Sequence, residues 1–188
     1  MAGVILDGRD QQFMLYEVLG VEKLCESPIY AEFSRDVFDM VLKEAEKLAV
    51  EEVFPTLKEG DHEGCTLKDG QVYVPKCFHR GYKLYCEGGW NAMSFPQEMG
   101  GQGLPIIIRS ASHEWFTHNF SFISYTGLTE GAAFLIVVYG SEAQKKKYLP
   151  DMLSGKWGGT MALTEPNAGT DVGNLSTKAV RQPDGSWR

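Results

Sequence analysis

The segment MALTEPNAGTDVGNLSTKA, residues 161–179, carries the residue types best suited to hold a ligand. Thr164 and Thr170 offer hydroxyl groups, Gly169 permits a positive φ, and the backbone of residues 166–171 can turn several N–H groups the same way. Such a cradle suits an anionic or carbonyl-rich ligand, for example a phosphate group or a pyrimidine-type ring. The alternative is an ordinary corner between a strand and a loop, in which the closing aspartate caps the backbone.

The cysteines and histidines lack the spacing of a metal site. The four cysteines include no CxxC pair, and none is combined with a histidine at zinc-site spacing. His113 and His118 are five residues apart, so a helix would not place them on one face. The sequence therefore predicts no metal, and free thiols in a reducing compartment. These cysteines are Cys25, Cys65, Cys77 and Cys86.

Composition and charge indicate an ordinary soluble globular protein. Of the 188 residues, 43% are hydrophobic and 23% are charged. The net charge of −7 and the lack of a basic patch argue against nucleic acid as a partner. The only apolar run near the N-terminus is residues 4–6, and the longest run, residues 132–139, is shorter than the ~20 residues of a membrane helix. We therefore expect a cytoplasmic protein without a membrane span.

Hydrophobic periodicity predicts an all-α domain of five or six helices over residues 1–157. The first helix ends at Gly20, where a glycine can close the last turn. The helix at residues 125–139 becomes apolar all round, which is typical of a helix buried in the middle of a bundle. The predicted helices cover residues 11–19, 27–54, 76–87, 106–119, 125–139 and 141–149.

Caps and prolines set the predicted helix ends. Ser27 and Pro28 are a cap and a first-turn proline, and the helix that they open ends before Pro55. Ser141 and Gln144 form a capping box for the last helix, which the next proline along the chain breaks.

Two Gly-rich segments separate the helices. Residues 58–74 are predicted as a loop with a small hairpin around a Lys-Asp-Gly turn at 68–70. Residues 88–105 are predicted as a surface loop with Trp90 and Phe95 as aromatic anchors.

The sequence pattern changes at Gly158. Residues 158–166 are predicted as a strand that leads into the ligand loop, and residues 175–188 as a β-hairpin around a Pro-Asp-Gly turn at 183–185. The second strand of that hairpin has only three residues, so many of its backbone groups would lack partners. We therefore expect residues 158–188 to be the beginning of a truncated β domain: its first strand, the ligand loop and an incomplete hairpin.

Three segments resemble the acyl-CoA dehydrogenase family. Residues 161–179 are similar to its signature, in which a strand runs into Thr-Glu-Pro, two small residues, Gly, Ser or Thr, and Asp. GGWNAMSFPQEMGGQGLP, residues 88–105, is similar to the family's Gly-Trp…Pro-Glu-x-Gly-Gly-x-Gly segment. YGSEAQKKKYLPDMLSGKWGGTMALTEP, residues 139–166, is similar to its Gly-Ser/Thr-Glu-x-Gln-Lys…Tyr-Leu-Pro stretch. The resemblance is specific over residues 88–180, and the chain looks most like the branch that includes 3-methylmercaptopropionyl-CoA dehydrogenase.

The resemblance implies a mainly α fold, with the family's N-terminal helical bundle followed by the truncated start of a β-barrel-like middle domain. In the family, FAD lies between the middle domain and a C-terminal helical domain. The family reaction oxidises the Cα–Cβ bond of an acyl-CoA thioester, with hydride passing to flavin N5 and electrons leaving to an electron-transferring flavoprotein. The resemblance also implies a homo-oligomer, a dimer or tetramer, for the full-length protein.

Carried over residue by residue, the resemblance implies a flavin-binding role for the loop. Met161, Leu163 and Thr164 would line the flavin ring, with Thr164 bonding its pyrimidine edge. Gly169 and Thr170 would approach the ribityl-pyrophosphate, and Thr170 would also contact the acyl-CoA substrate.

The resemblance assigns no catalytic residue to this chain. In the family the second flavin-contacting strand and the catalytic glutamate come later than the position that matches Arg188. The chain alone is therefore expected to hold no flavin and to be inactive. Glu165 lies in the ligand loop, but the family pattern and the adjoining Pro166 make it a structural residue. The alternative function is that of a non-catalytic helical remnant or an interaction subunit of the same fold. Within the enzyme hypothesis, the sequence does not distinguish an acyl-CoA dehydrogenase from an acyl-CoA oxidase.

Overall fold

The computed structural model describes residues 5–188, and helical segments, with α-helices, 3₁₀ turns and π turns taken together, form most of that part of the chain. Seven of these segments are α-helices. Four of them begin at a side chain that accepts backbone N–H groups, which satisfies donors that have no partner within the helix: Asp7, Ser34, Asn119 and Ser141. The helices are α1 Gly8–Gln12, α2 Arg35–Leu48, α3 Leu57–Glu63, α4 Phe78–Glu87, α5 Ile106–Phe116, α6 Phe120–Tyr139 and α7 Glu142–Leu153.

A two-stranded hairpin, β1 Thr66–Lys68 and β2 Gln71–Tyr73, connects α3 to α4. Its strands are antiparallel, with Lys68 paired to Gln71 across the turn. The two turn residues, Asp69 (φ 51°) and Gly70 (φ 76°), both have positive φ, as a type I′ turn requires. The predicted small hairpin is therefore confirmed.

The long amphipathic helix begins seven residues later than the sequence predicts. Ser27 has extended backbone and ends a 3₁₀ turn over Val21–Glu26. The cap is Ser34, whose Oγ accepts the Val37 amide at 3.4 Å. The second serine is used because the residues of this helix that reach the core start only at Phe38. The prediction of a cap at Ser27 is wrong.

The same helix ends at Leu48, before Pro55 as predicted, but the chain keeps turning through the proline. The chain passes from α2 into a π turn at Ala49–Val53, then into a 3₁₀ turn at Phe54–Thr56, and on into α3. Pro55 lies at the start of the 3₁₀ turn, where a missing N–H is tolerated. The wider π turn also keeps both Ala49 and Val53 buried.

The last helix begins as predicted and ends later. Ser141 and Gln144 form the capping box, with Gln144 Oε1 accepting the Ser141 amide at 2.8 Å. Pro150 does not break α7, which continues to Leu153. Pro150 is exposed and lies in the last turn, so it removes one backbone hydrogen bond near an end that frays in any case. Gly155 (φ 76°) then closes the helix.

Helix α6 has two different faces. Its 20 residues have a mean hydropathy of 1.4 over the most apolar window, which by length and composition alone would suffice to cross a membrane. Only 33% of that window is buried. Phe122 and Ala133 face the core, whereas Leu135 and Val138 are 61% and 63% exposed. The prediction that this helix is buried all round is therefore wrong for residues 5–188, because its neighbours pack on one side.

The main hydrophobic core lies between α2, α4, α5 and α6. Tyr85 packs edge-on against Phe116 (5.1 Å between ring centres), and Trp90 packs edge-on against the same ring at 5.3 Å. A smaller cluster lies between α6 and α7, where Phe95 stacks on Phe134 at 4.2 Å. Trp90 and Phe95 both belong to residues 88–105, so the predicted aromatic anchors of that loop are confirmed.

A buried carboxylate joins three helices inside this core. Glu130 of α6 is 3% exposed and accepts from Arg109 Nε of α5 at 2.7 Å. Its other oxygen lies 3.2 Å from His113 Nε2, and Tyr85 OH of α4 lies 3.1 Å from the same nitrogen. Burial, and then the Glu130 charge, raise the pKa of Tyr85 well above its usual value, so its hydroxyl stays protonated.

Glu130→Ala is expected to lower the free energy of unfolding by about 3–5 kcal/mol, because it leaves the partly buried Arg109 without its counter-charge. Urea denaturation of purified protein measures this change. The control is Glu87→Ala, which removes an exposed partner of Lys83 (3.7 Å) and should change stability by less than about 1 kcal/mol. Equal effects of the two substitutions would contradict a special role for the buried carboxylate.

Candidate functional site

The predicted ligand loop is a tight turn that follows residues 158–164, the connecting segment. Glu165 N donates to Ala168 O at 3.0 Å, and Ala168 N donates to Glu165 O at 3.2 Å, so Pro166 and Asn167 form the tip. Residues 158–164 have no regular secondary structure and no strand partner within residues 5–188, so the predicted first strand is not formed there. This turn fixes which residues of the loop come close to one another.

The predicted hairpin near residues 175–188 is present. Val180 and Arg188 exchange both backbone hydrogen bonds at 2.9 and 3.0 Å, and Gln182 N donates to Ser186 O at 2.8 Å. Gly185 (φ 84°) supplies the turn conformation that the Pro-Asp-Gly sequence predicts. The ladder is short, as expected from the three residues of its second strand.

All five residues predicted to bind the flavin lie on the surface. Met161 and Leu163 are 63% and 43% exposed, and Thr164, Gly169 and Thr170 are also exposed. The turn brings Thr164 next to Gly169, since a Cβ on Gly169 would lie 3.7 Å from Thr164 Cγ2. The structure thus places hydroxyl, apolar and glycine positions along one accessible loop.

Gly169 does not use the freedom that the sequence suggests. It is absent from the positive-φ residues of the described chain, and a Cβ there would make only ordinary van der Waals contact. Neither backbone conformation nor packing within residues 5–188 requires a glycine at this position. The missing side chain instead leaves open space beside Thr164, which a ligand can approach closely.

Glu165 holds the loop to the segment that follows it. One oxygen accepts from the amide and hydroxyl of Ser176 at 2.8 and 2.6 Å. The other accepts from the Thr177 amide at 2.9 Å and from the Thr177 hydroxyl. These hydrogen bonds, from Ser176 first and then Thr177, lower the pKa of Glu165 to about 2. Sequence reasoning missed both partners, whose only signal is a Ser-Thr pair eleven residues downstream.

The alternative interpretation of the loop, a corner capped by an aspartate, fits less well. Asp171 makes no side-chain cap to the short 3₁₀ turn at Val172–Asn174. Its backbone carbonyl accepts the Asn174 amide at 3.1 Å instead. The aspartate side chain is therefore not what shapes this loop.

An apolar cleft of about 680 Å³ opens where the connecting segment begins at Gly158, next to the helical bundle. Its walls come from α4 (Phe78, Tyr82) and α6 (Tyr125, Leu128), and its edge from residues 158–160. Burial first raises the pKa of Tyr82 and Tyr125 to about 12, so both hydroxyls stay neutral. Within residues 5–188 no carboxylate or ammonium group lines the cleft, which suits an uncharged apolar ligand. No feature of the sequence predicts this cleft.

Two other features of the surface are less suited to a ligand. A cleft of about 740 Å³ between α7 and residues 89–100 has none of residues 158–188 in its lining. Donor atoms of Glu59, Glu63 and Cys77 lie within 4.8 Å of one another. Burial, followed by the two carboxylates, raises the pKa of the Cys77 thiol, so it is a poor metal ligand.

Comparison with known proteins identifies the fold. Residues 36–156 match the sequence model described as "Acyl-CoA dehydrogenase, N-terminal domain", which is more than half of the chain. The chain belongs to the acyl-CoA dehydrogenase family. This match confirms the family and the mainly α fold class that the sequence motifs predict.

Acyl-CoA dehydrogenases are also the relatives that resemble the chain over most of its length. It is 36% identical over 159 residues to 3-methylmercaptopropionyl-CoA dehydrogenase of Ruegeria pomeroyi, covering 84% of the chain and 27% of the relative. It is 37% identical over 184 residues to a broad-specificity linear acyl-CoA dehydrogenase of Mycobacterium tuberculosis, covering 95% and 30%. The chain thus spans less than a third of the length of these curated relatives.

Solved acyl-CoA dehydrogenases have the same fold over this region. The acyl-CoA dehydrogenase from Bacillus anthracis, solved in complex with FAD, superposes with a TM-score of 0.67 at 30% identity, covering 82% of this chain and 25% of that one. Butyryl-CoA dehydrogenase from Megasphaera elsdenii superposes with a TM-score of 0.63 at 26% identity, covering 82% and 39%.

The Glu165 contacts predict an acid-sensitive loop. Because its folded pKa of about 2 lies below the usual value of 4.5, Glu165 stabilises the loop above about pH 4.5, and this contribution is lost as the pH falls toward 2. We expect the amide NMR shifts of Ser176 and Thr177 to titrate with a midpoint near 2. In Glu165→Gln this transition should vanish. A midpoint near 4.5 in the unsubstituted protein would contradict the hydrogen bonds from Ser176 and Thr177 to Glu165.

Proposed function

We propose that these residues belong to an FAD-dependent acyl-CoA dehydrogenase and form one side of its flavin site. Family membership supports the reaction class, and the accessible loop of residues 161–170 carries the proposal. When bound, FAD supplies the hydride acceptor for α,β-dehydrogenation of an acyl-CoA thioester. The substrate, the cofactor and an electron-transferring flavoprotein as electron acceptor are proposals for the whole protein, as is its assembly into a homo-oligomer.

The loop fits a flavin in chemical terms. Met161 and Leu163 offer exposed apolar side chains that can cover an aromatic ring. The Thr164 hydroxyl can donate to a carbonyl or ring nitrogen at the edge of that ring. Such a donor stabilises negative charge where it develops during hydride acceptance. Gly169 leaves room for close approach, and the Thr170 hydroxyl is free to contact a phosphate or the substrate.

Glu165 is suited to hold the loop rather than to take a proton. Both of its oxygens accept hydrogen bonds from Ser176 and Thr177, and its pKa of about 2 makes it a weak base at neutral pH. The removal of the substrate α-proton is therefore assigned to a glutamate other than Glu165. The Glu165 contacts instead orient the loop before any ligand arrives.

The apolar cleft offers space for part of the acyl group. Its walls are mainly aromatic and aliphatic side chains, with His79 and Ser124 as polar members, and Gly158 and Thr160 connect its edge directly to the loop at Met161. An acyl chain in this cleft would bury apolar surface without a charged neighbour. The cleft and the loop together would bring an acyl substrate and a flavin to adjacent positions.

The purified whole protein is expected to show flavin absorption bands that bleach when an acyl-CoA is added without oxygen. Thr164→Val should weaken FAD binding by up to about tenfold, the loss expected for one hydrogen bond. Thr117→Val, an exposed threonine at the end of α5, is the control and should leave FAD affinity unchanged. Titration of the apoprotein with FAD measures both. A whole protein that binds no flavin would support a non-catalytic helical subunit instead.

A further inference from the structure

Gly159 lies directly against the backbone of α6. A Cβ at this position would lie 2.8 Å from Ala132 Cβ, 3.0 Å from Thr129 Cα and 3.2 Å from Leu128 O. The preceding Gly158 has room, because its nearest neighbour would be Thr129 Oγ1 at 3.9 Å. The close approach therefore belongs to the second glycine, two residues before Met161.

Thr129 fixes this approach with a hydrogen bond. Its Oγ1 accepts the Gly159 amide at 2.9 Å and donates to the Tyr125 carbonyl at 3.0 Å. Donation to Tyr125 orients the hydroxyl and leaves a lone pair for Gly159. Between residues 158 and 164 this is the only hydrogen bond to another part of the described chain. Thr129 is 4% exposed, so the contact is shielded from water.

The part of α6 that carries Thr129 is held firmly in the bundle. The next residue, Glu130, forms the buried ion pair with Arg109, and Ala133 one turn on is fully buried. A rotation of α6 that moved Thr129 would also break the Glu130 contacts. Thr129 therefore attaches the connecting segment, residues 158–164, to a part of the helical domain that does not move easily.

We infer that Thr129 is a positioning residue for the flavin loop. Together with Gly159 it sets where residues 161–170 begin relative to the apolar cleft, and hence the distance between flavin and acyl group. This inference rests on the proposed function. Thr129 would position the loop without binding the flavin itself. It is buried beneath residues 158–164, and its hydrogen bond is to Gly159, two residues before the loop begins at Met161.

Hydrogen–deuterium exchange tests the tether itself. Thr129→Val keeps the shape and removes the acceptor, so exchange of the Gly159 amide should rise about fivefold, as for loss of one ordinary hydrogen bond. Thr129→Ser keeps the hydroxyl and should stay near the unsubstituted rate. Thr126→Val is the matched control, since Thr126 is a buried threonine of α6 that also donates to a helix carbonyl and makes no hydrogen bond to the segment. Unchanged exchange in Thr129→Val would overturn the tether.

A second pair of substitutions tests the close approach. Gly159→Ala should accelerate the same exchange at least as much as Thr129→Val, because its Cβ cannot fit against α6. Gly158→Ala should leave the exchange within about twofold, since a Cβ there meets only ordinary contact distances. Equal behaviour of the two alanine variants would contradict a specific position for Gly159.

Kinetics of the flavin-loaded enzyme test the positioning role. Thr129→Val should lower kcat for acyl-CoA oxidation by about tenfold or more with little change in KM, because misplacement of the reacting groups slows the chemical step. Thr129→Ser should restore kcat. A flavin-loaded wild type whose Thr129→Val variant keeps full kcat would overturn the Thr129 inference alone. A wild-type protein isolated without flavin would overturn the proposed function as well.

Discussion

The buried carboxylate of Glu130 connects three helices of the bundle. A charge that is 3% exposed is tolerated only when both of its oxygens have donors. Here Arg109 of α5 donates to one oxygen, Tyr85 OH donates to the other at 3.4 Å, and His113 Nε2 lies 3.2 Å from that second oxygen. Tyr85 of α4 contacts the same histidine, so three helices meet around one charge. Purely apolar packing allows helices to slide by small steps, whereas this arrangement defines a single register.

That register links the inside of the bundle to its surface. Glu130 points inward from α6, and its neighbour Thr129 accepts the amide of Gly159, which lies above it. Tyr125 and Leu128, on the same helix, form one wall of the apolar cleft. One helix therefore carries the internal ion pair, the wall of a candidate substrate cleft and the attachment of the candidate flavin loop. The position of the candidate flavin loop therefore depends on packing among helices that precede the loop in the sequence.

The sequence predicts elements whose signals are local. Periodicity located α4, α5 and α6, and turn residues located both hairpins. It failed at Ser27, because the choice between two serines depends on which residues reach the core. It also failed at Pro150, which lies in the last turn of α7 and does not break it. The loop residues were found through motif resemblance and their roles stay predictions. The Glu130 network and the cleft have no sequence signal, because residues far apart in the chain form them only after folding.

The outer face of α6 has a consequence for the synthesis of this protein. Leu135 and Val138 stay exposed after the helical domain has folded, as does Tyr139 at 80%. On a ribosome, such an apolar stripe is available to neighbouring nascent chains and to chaperones as soon as the bundle forms. The residue that gives the domain its register is thus on the same helix that exposes it to aggregation.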